Sequence, residues 1–350
     1  MSTFFDLDRD QLEIYRPDSF EPADFDEFWA TTLEENPFDP RSVQLEEVTD
    51  LVVKTHRVFD VTFGGYAGDP IKAWLTVPAT AQPGEELPTI VEFRGYGGGR
   101  GLPYEHLGWA GAGFAHLVMD NRGQGGNWGT GADTVDPHPL GVGQFGLMTR
   151  GIEDPHDYYF RRIYIDAHHA VEAAAHLPHC DEKRIIVTGQ SQGGTLSVVA
   201  GVLSPRVLAT MPDVAWMADF RRAVGLSEHT PYQEVVRYLS VFRGRDEMVF
   251  ETLAYFDIVS LGKRATIPAL FSTGLMDICC PPSTVYATKN WWGEKLVEAG
   301  GQRPSAQIDA HAFNEHEGGG LYQWHRQVLW VKDFLGLVDW VVECETQVLL

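Results

Sequence analysis

The segment RIIVTGQSQGG, residues 184–194, joins an apolar run to a serine that lies between glycines. RIIVT is typical of a buried strand, and GGTLSVVAGVL after it predicts a helix. Ser191 would then lie on a sharp strand-to-helix turn, where glycines permit a strained backbone and close packing. The G-x-S-x-G pattern alone fixes only three residues, so a serine in an ordinary turn is the alternative. The context favours an exposed, nucleophilic serine.

The same alternation of apolar runs and helical patterns continues on both sides of this segment. Short apolar runs between helices indicate a mostly parallel sheet covered on both faces. Two earlier segments alternate apolar and polar residues and predict an antiparallel opening of the sheet. The predicted strands are HRVFDVTF (56–63), IKAWLTVP (71–78), PTIVEF (88–93), FAHLVMD (114–120), RIIVTG (184–189) and IPALFSTG (267–274), and the clearest helices are RRIYIDAHHAVEAAAHL (161–177) and GGGLYQWHRQVLWVKDFLG (318–336). The predicted fold class is α/β.

The 350 residues are expected to form a single domain, because α/β folds with insertions reach this length as one body. Residues 1–50 predict an N-terminal helical extension, in which PADFDEFWATTLEE carries an apolar stripe at helical spacing. Residues 123–156 are rich in glycine and proline and predict a long loop of the kind used in function or assembly. Residues 221–264 predict a helical insertion.

Composition restricts the class of partner and the compartment. The formal charge of −22, from 49 acidic and 27 basic residues, would repel nucleic acid and anionic membranes and favours a small substrate. The N-terminus shows no basic stretch followed by an apolar one, and no apolar run approaches the length of a membrane span, so we expect a cytoplasmic protein. Cys180, Cys279, Cys280 and Cys344 form no pattern typical of zinc or of a disulfide framework, and no metal is predicted.

A nucleophilic serine needs a general base and an acid that orients that base. In α/β-hydrolases the acid and then the histidine follow the serine along the chain. Asp277 lies just past the IPALFSTG strand, and His316 lies between the strand-like AQIDAHAF and the last helix. The sequence therefore predicts a catalytic triad of Ser191, Asp277 and His316.

Other histidines and acids are less well placed for these roles. His311 lies within a predicted strand, where packing or a core hydrogen bond is its expected role, and His325 lies on the final helix. The adjacent His168 and His169 cannot face one another on a helix, so we expect no metal pair and a surface or partly buried position. The alternative acids are Asp257 and Asp309.

Two backbone amides are candidates for an oxyanion hole. The amide of Gln192 follows the serine at the helix N-terminus, where it can donate to a developing oxyanion. The second donor should come from the loop after an earlier strand, and PTIVEF runs into RGYGGGRG. We predict the amide of Tyr96 as this donor, although a flexible glycine turn is the alternative.

The chain as a whole resembles carbohydrate esterase family 7, the group of acetyl xylan esterases and cephalosporin C deacetylases. The resemblance rests on an ordered set of motifs that spans nearly the whole sequence. These are RPDSFEPADFDEFW (16–29), RGYGGGRG (94–101), MDNRGQGG (119–126), DYYFRRIYIDAHHAVEAA (157–174), GQSQGG (189–194), YFDIVSLGKRATIPALFSTGLMDICCPPST (255–284) and HEGG (316–319). One departure is the segment 290–307, which is longer than the family's usual link from acid to histidine.

The resemblance implies an α/β-hydrolase fold and the same triad and oxyanion donors. The family's RGQ signature falls on Arg122, Gly123 and Gln124, where a structural role is expected, with the arginine tying loops together. Glu317 follows the histidine and is expected to cap or complement the last helix. The resemblance also implies a hexamer, with the 123–156 loop in its contacts, and no cofactor.

The predicted function is removal of acetyl groups from small acetylated carbohydrates such as xylo-oligosaccharides, and from cephalosporin C, through an acetyl-enzyme. A serine peptidase of the prolyl oligopeptidase type is the alternative enzyme, although the chain has no room for the propeller that such enzymes carry. A catalytically silent hydrolase-fold binding protein is the alternative from another class. Comparing turnover of acetyl esters and of peptide amides separates the two enzymes, and the reactivity of Ser191 with a serine-directed phosphonate separates an enzyme from a silent protein.

Overall fold

The computed structural model describes residues 4–18, 20–138 and 145–337, and a nine-stranded sheet runs through them. Its strands lie in the order β1-β2-β3-β5-β4-β6-β7-β8-β9. They are β1 (Gln44–Glu47), β2 (His56–Gly64), β3 (Pro70–Pro78), β4 (Leu87–Phe93), β5 (Ala115–Met119), β6 (Cys180–Gln190), β7 (Val207–Asp213), β8 (Ala269–Gly274) and β9 (Ala306–His311). The predicted α/β class is confirmed.

The sheet is antiparallel at one end and parallel through the rest. Strands β1, β2, β3 and β5 pair antiparallel, as the alternating sequence of β2 and β3 predicts. From β5 through β4, β6, β7 and β8 to β9, all pairs are parallel. The carboxyl ends of the parallel strands therefore share one edge of the sheet, where α/β folds place their binding crevice.

Helices cover the sheet and account for most of the remaining regular structure. They are α1 (Arg9–Ile14), α2 (Phe25–Glu35), α3 (Gly108–Gly111), α4 (Tyr159–Ala174), α5 (Gln192–Leu203), α6 (Phe220–Leu226), α7 (Tyr232–Val241), α8 (Asp246–Ala254), α9 (Ile258–Gly262), α10 (Pro282–Trp291), α11 (Glu294–Glu298) and α12 (Gly320–Phe334). None of those in the described part of the chain is both long and apolar enough to cross a bilayer.

Successive apolar residues of the parallel strands point to opposite faces of the sheet. Val91 and Val187 belong to a large buried cluster with residues of α4, α5 and α9. Their neighbours Ile90 and Ile186 belong to a second cluster with Trp109 of α3 and residues of α12. Because both faces are buried, both successive positions must be apolar, which explains the uninterrupted apolar runs.

The segments outside the regular α/β pattern differ in structure. Helix α2 buries Phe25, Phe28 and Trp29 of the predicted stripe, whereas Leu33 is only partly buried. Helices α6 to α9 occupy the segment for which a helical insertion is predicted. The described parts of the long loop, 123–138 and 145–156, contain no α-helix or strand, and its residues 139–144 lie outside the described residues.

Strands β1 and β7 are not predicted from the sequence. The β1 residues are all exposed, so they lack the alternation that marks a half-buried strand. Strand β7, VLATMPD, carries threonine, proline and aspartate among its apolar residues. Its position between β6 and β8 supplies the burial that its composition does not indicate.

Candidate active site

Ser191 lies on the turn between β6 and α5 in a strained conformation. Its φ of 60° and ψ of −118° are unusual for a residue with a side chain. A β-carbon added at Gly193 would overlap the carbonyl oxygen of Phe93, and one at Gly189 would lie 2.6 Å from the same atom. Glycine at these two positions therefore allows α5 to pack closely against the strands and holds the serine at the carboxyl edge of the sheet.

Asp277 and His316 form a hydrogen-bonded pair at the same edge of the sheet. Nδ1 of His316 lies 2.9 Å from Oδ2 of Asp277, which is fully buried. Oδ1 of Asp277 accepts hydrogen bonds from the amides of Cys279 at 2.8 Å and Cys280 at 2.9 Å. The side-chain amide of Gln190, next to the serine, donates to the carbonyl of His316 at 2.9 Å.

The protonation of His316 reflects competing effects. Burial lowers the pKa of the imidazole, but the hydrogen bond to Asp277 raises it, and the neighbouring Cys279 raises it as well. The combined effect is a raised pKa, because a carboxylate at 2.9 Å stabilises the imidazolium strongly. An imidazole in this position is well suited to accept a proton during a reaction.

A cavity of about 610 Å³ opens above these groups. Ser191, His316 and Tyr96 line it, together with Cys279 and the partly exposed Trp128. The buried Asp277 lies behind His316. The predicted triad and the loop proposed for the oxyanion hole are thus brought together at one cavity.

Tyr96 is held in place by hydrogen bonds to its side-chain hydroxyl and to its backbone carbonyl. Its hydroxyl donates to the carboxylate of Glu234 at 2.9 Å and accepts from the amide of Leu147 at 2.9 Å. Its carbonyl accepts from the indole N–H of Trp128 at 2.7 Å. Within the described part of the chain its own amide has no hydrogen-bond acceptor, so this N–H is free to bind a ligand.

Gln124 joins the Tyr96 loop to the beginning of α5. Its Oε1 accepts from the amide of Gly97 at 2.6 Å, and its Nε2 donates to Oε1 of Gln192 at 2.9 Å and to the hydroxyl of Tyr159 at 2.9 Å. Gln192 is fully buried, and its amide lies in the first turn of α5, where helical amides have no acceptor within the helix. The side chain of Gln124 thus links the loop of Tyr96 to the side chain of Gln192, the two residues that carry the candidate oxyanion donors.

Arg122, the first residue of the RGQ signature, is a buried structural cation. Its guanidinium makes a two-pronged contact with Asp166 of α4 and pairs with Asp69 at 3.0 Å and with Asp136 at 3.4 Å. These partners come from a helix and two separate loops, so the arginine ties them together, as the sequence predicts. At Gly123, with φ of +63°, an added β-carbon would lie 2.8 Å from the side chain of Asp136.

The side chain of Glu317 does not cap the last helix, so the predicted cap is wrong, whereas the expectation that its charge complements the helix N-terminus stays a prediction. Its carboxylate accepts from the side chain of Asn314 at 2.8 Å and from the amide of Glu315 at 3.1 Å. Helix α12 begins at Gly320 and has no side-chain cap. The carboxylate therefore stabilises the turn that carries His316.

The competing histidines and acids lie outside the cavity. His311 bonds the side chain of Gln323, and His325 is exposed on α12. Asp257 caps α9 and Asp309 lies 3.5 Å from Arg326. His169 is fully buried between the carbonyls of Gly64 and Asn36, which corrects the expectation of a surface or partly buried side chain.

Three residues at this edge of the sheet are not singled out by the sequence. Cys279 lines the cavity and Cys280 is buried beside it, and their Sγ atoms and a ring nitrogen of His316 lie within 4.8 Å of one another. Interaction with Cys280 and with His316 lowers the pKa of the Cys279 thiol, although burial raises it. Asp213 at the end of β7 lies beneath Ser191, whose amide donates to the Asp213 carbonyl at 2.9 Å. In the sequence, the two cysteines follow Asp277 closely, and this nearness to the predicted acid is the feature that could have indicated thiols at the site.

The strand order, the strained serine between β6 and α5, and the acid–histidine pair define an α/β-hydrolase. The family model for acetyl xylan esterase (AXE1) matches residues 1–334. The acetyl esterase Axe7A of Xylanibacter ruminicola is 30% identical over 335 residues, which cover 91% of this chain and 69% of that protein. The chain therefore belongs to the acetyl xylan esterase family and is a carboxylic ester hydrolase.

Two solved structures agree with this assignment. The acetyl xylan esterase from Paenibacillus sp. R4 superposes with a TM-score of 0.83 at 31% identity, over 93% of this chain and 99% of that one. Acetyl xylan esterase 1 from Thermoanaerobacterium sp. JW/SL YS485 gives 0.81 at 30% identity with the same coverage. The family resemblance and the α/β-hydrolase fold predicted from the sequence are confirmed.

Proposed function

We propose that the protein removes acetyl groups from small acetylated carbohydrates, with acetylated xylo-oligosaccharides as its main substrates and cephalosporin C as a further one. The observation that carries the proposal is the strained Ser191 at a cavity of about 610 Å³ that the Asp277–His316 pair also reaches. Acetyl xylan esterases and an acetyl esterase among the relatives support the choice of acyl group.

Ser191 is the nucleophile, His316 the general base and Asp277 the residue that orients the base. Nδ1 of His316 carries the proton shared with Asp277, so Nε2 is left to accept the proton of Ser191 as the hydroxyl attacks the acetyl carbonyl. The imidazolium then protonates the leaving sugar hydroxyl. Water attacks the acetyl-enzyme by the reverse proton path and releases acetate.

The amides of Tyr96 and Gln192 hold the oxyanion of each tetrahedral intermediate. The free amide of Tyr96 and the position of Gln192 in the first turn of α5 support these roles. Because both donors are backbone groups, their strength depends on spacing and not on side-chain identity. The hydrogen bonds of Gln124 link the loop of Tyr96 to Gln192.

The sharpest test is to replace Ser191 with alanine and to measure hydrolysis of p-nitrophenyl acetate and of an acetylated xylo-oligosaccharide. We expect a loss of kcat on the order of 10⁶-fold, the effect of removing the nucleophile of a serine triad. Ser240→Ala is the matched control, because Ser240 is exposed on α7 and bonds only the carbonyl of Arg237. A Ser191→Ala enzyme with wild-type turnover would refute the assignment.

The same preparation tests the alternatives. A serine peptidase would cleave peptide amides in addition to acetyl esters, and a silent binding protein would not react with a serine-directed phosphonate. We expect labelling of the wild-type protein at Ser191 alone and turnover of acetyl esters only. Cephalosporin C and xylo-oligosaccharides are compared by kcat/KM.

We further propose that the protein acts in the cytoplasm as a homo-hexamer. The free thiols of Cys180, Cys279 and Cys280 support a reducing compartment, in which adjacent cysteines stay reduced. The hexamer is supported by the family resemblance, with the 123–156 loop in the contacts. Light scattering of the purified protein measures the assembly directly, and a monomeric mass would contradict it.

A further inference from the structure

Three side chains at the cavity have the chemistry of a metal site. The Sγ atoms of Cys279 and Cys280 and a ring nitrogen of His316 lie within 4.8 Å of one another. Thiolates and imidazole suit Zn²⁺ and other thiophilic cations, and they discriminate against Mg²⁺ and Ca²⁺, which prefer oxygen. Zinc takes thiolate at about 2.3 Å and imidazole at about 2.0–2.1 Å, so ligands of one tetrahedral ion lie about 3.5–3.8 Å apart. A closing movement of about 1 Å, within the reach of a cysteine side-chain rotation, brings the three atoms to this spacing.

The three ligands share one anchor. Oδ1 of Asp277 accepts the amides of Cys279 and Cys280, and its Oδ2 accepts Nδ1–H of His316. This leaves Nε2 of His316 for a metal, with a carboxylate behind the imidazole as in many natural metal sites. One buried carboxylate thus holds all three ligand residues in place before any ion arrives.

The cluster is reached from the cavity. Cys279 and His316 line it, and the Sγ atom of the buried Cys280 lies within 4.8 Å of the ligand atoms of both. Three protein ligands leave the fourth tetrahedral position open toward the cavity, where water or a buffer anion can complete the coordination. The two thiols release their protons to solvent as the ion binds, and no oxidant or reductant is required.

We propose that Cys279, Cys280 and His316 bind one thiophilic divalent cation such as Zn²⁺ or Cd²⁺, and that the bound ion reversibly blocks ester hydrolysis. The block rests on the proposed function, because the ion takes the Nε2 lone pair with which His316 would accept the proton of Ser191. Removal of the ion restores the free imidazole.

Direct binding is tested by titrating the purified, reduced protein with Cd²⁺ and following the ultraviolet charge-transfer absorption of cadmium–thiolate bonds. We expect one cation per chain in the wild type. In Cys279→Ser the band should fall and the affinity should drop at least about tenfold, since a direct ligand is lost. Cys180→Ser is the matched control, because Cys180 lies buried at the far end of β6 from Ser191. Thermal unfolding confirms that each variant is folded. Absence of the band in the wild type, or an equal band in Cys279→Ser, would overturn the proposal.

Inhibition is measured on the same samples. Each variant's ester hydrolysis with Zn²⁺ is expressed relative to its own rate in chelator, so any change in basal activity cancels. We expect the half-inhibitory Zn²⁺ concentration to rise about tenfold or more in Cys279→Ser, with full recovery of the wild type after chelation. Equal inhibition of the two would overturn the site. A wild type that gives the cadmium band but keeps its full rate would retain the metal site and contradict the role of His316 as base.

Discussion

Two buried aspartates lie at the ends of the neighbouring strands β7 and β8, on the same side of the strand β6 that leads to Ser191, and their electrostatics differ. Asp277, after β8, accepts from two backbone amides and from an imidazole that can carry charge. The carboxylate of Asp213, at the end of the adjacent β7, accepts from the neutral side chains of Ser272 and Gln327 and from no other group in the described part of the chain. Among the described residues, no cation lies within ion-pair distance of Asp213.

The consequence for Asp213 is a carboxyl group that resists ionisation. Burial raises its pKa to about 7, although the hydrogen bonds from Ser272 and Gln327 lower it. Strand-end position and burial are shared by the two acids, so neither decides the role. The partner decides it: an acid that faces a histidine can stabilise an imidazolium, whereas the neutral donors around Asp213 offset only part of the rise in pKa that burial causes.

Among substitutions at the two aspartates, Asp277→Asn should have the largest effect on activity. The oxygen of the new amide side chain can keep the two backbone amides, but its NH₂ group then faces Nδ1 of His316 and forces the proton onto Nε2. That tautomer cannot accept the proton of Ser191, and we expect kcat to fall about 10⁴-fold, as for the corresponding change in other serine triads. The measurement is steady-state hydrolysis of p-nitrophenyl acetate by Asp277→Asn.

The pH dependence gives a second signature of the same change. The wild type loses activity as the pH falls through the raised pKa of His316, because the imidazolium cannot act as a base. In Asp277→Asn the rise caused by the carboxylate is lost, while burial still lowers the pKa of His316 and Cys279 still raises it, so the pKa falls and the acidic limb of the residual profile moves to lower pH. A variant with kcat within tenfold of the wild type, or with an unmoved limb, would contradict the role of Asp277.

Asp213→Asn should change stability and leave most of the activity. The folded state keeps the proton of Asp213 up to about pH 7, whereas the unfolded chain releases it above about pH 4. Stability of the wild type therefore falls as the pH rises through this window, by a few kcal/mol in all. Asparagine mimics the protonated acid and removes that loss.

Denaturant unfolding at about pH 5 and about pH 8 checks this expectation. The free energy of unfolding of Asp213→Asn, relative to that of the wild type, should be higher at about pH 8 than at about pH 5. All other titrating groups are common to both proteins, so the difference isolates Asp213. A stability difference that does not change with pH would show that the carboxyl is ionised in the folded protein.

The comparison also explains how much the sequence predicts. The meeting of Ser191, Asp277 and His316 can be predicted because each follows a strand that the sequence indicates. The carboxyl ends of parallel strands share one edge of the sheet, so residues that follow them lie close together. Asp213 escapes prediction because its strand carries polar residues and becomes buried only between β6 and β8. The composition of a strand therefore does not by itself predict its burial, because burial also depends on the strands that lie beside it in the sheet.

Long-range hydrogen bonds are the other part that sequence does not reveal. Gln124 connects Gly97 and Gln192 across the sheet edge, and no spacing along the chain indicates that contact. The family signature marks Gln124 as structural without giving its partners. Glu317 shows the converse, since its nearness to α12 in sequence suggests a cap, whereas its carboxylate bonds the preceding residues Asn314 and Glu315.

The smallest expected effect comes from Gln327→Met, which removes the amide that donates to both oxygens of Asp213 at 2.9 Å. Methionine preserves length and burial, so the change is the loss of hydrogen bonds, at about 1 kcal/mol. An ionised carboxylate loses more than a neutral acid, and the pKa of Asp213 should rise further. The destabilisation should therefore be larger at about pH 8 than at about pH 5, measured by denaturant unfolding. Gln307→Met, at an exposed position of β9, serves as the control. Equal destabilisation at both pH values would mean that Gln327 supports the neutral acid as well as the ion, and that this hydrogen bond plays no part in the contrast between the two aspartates.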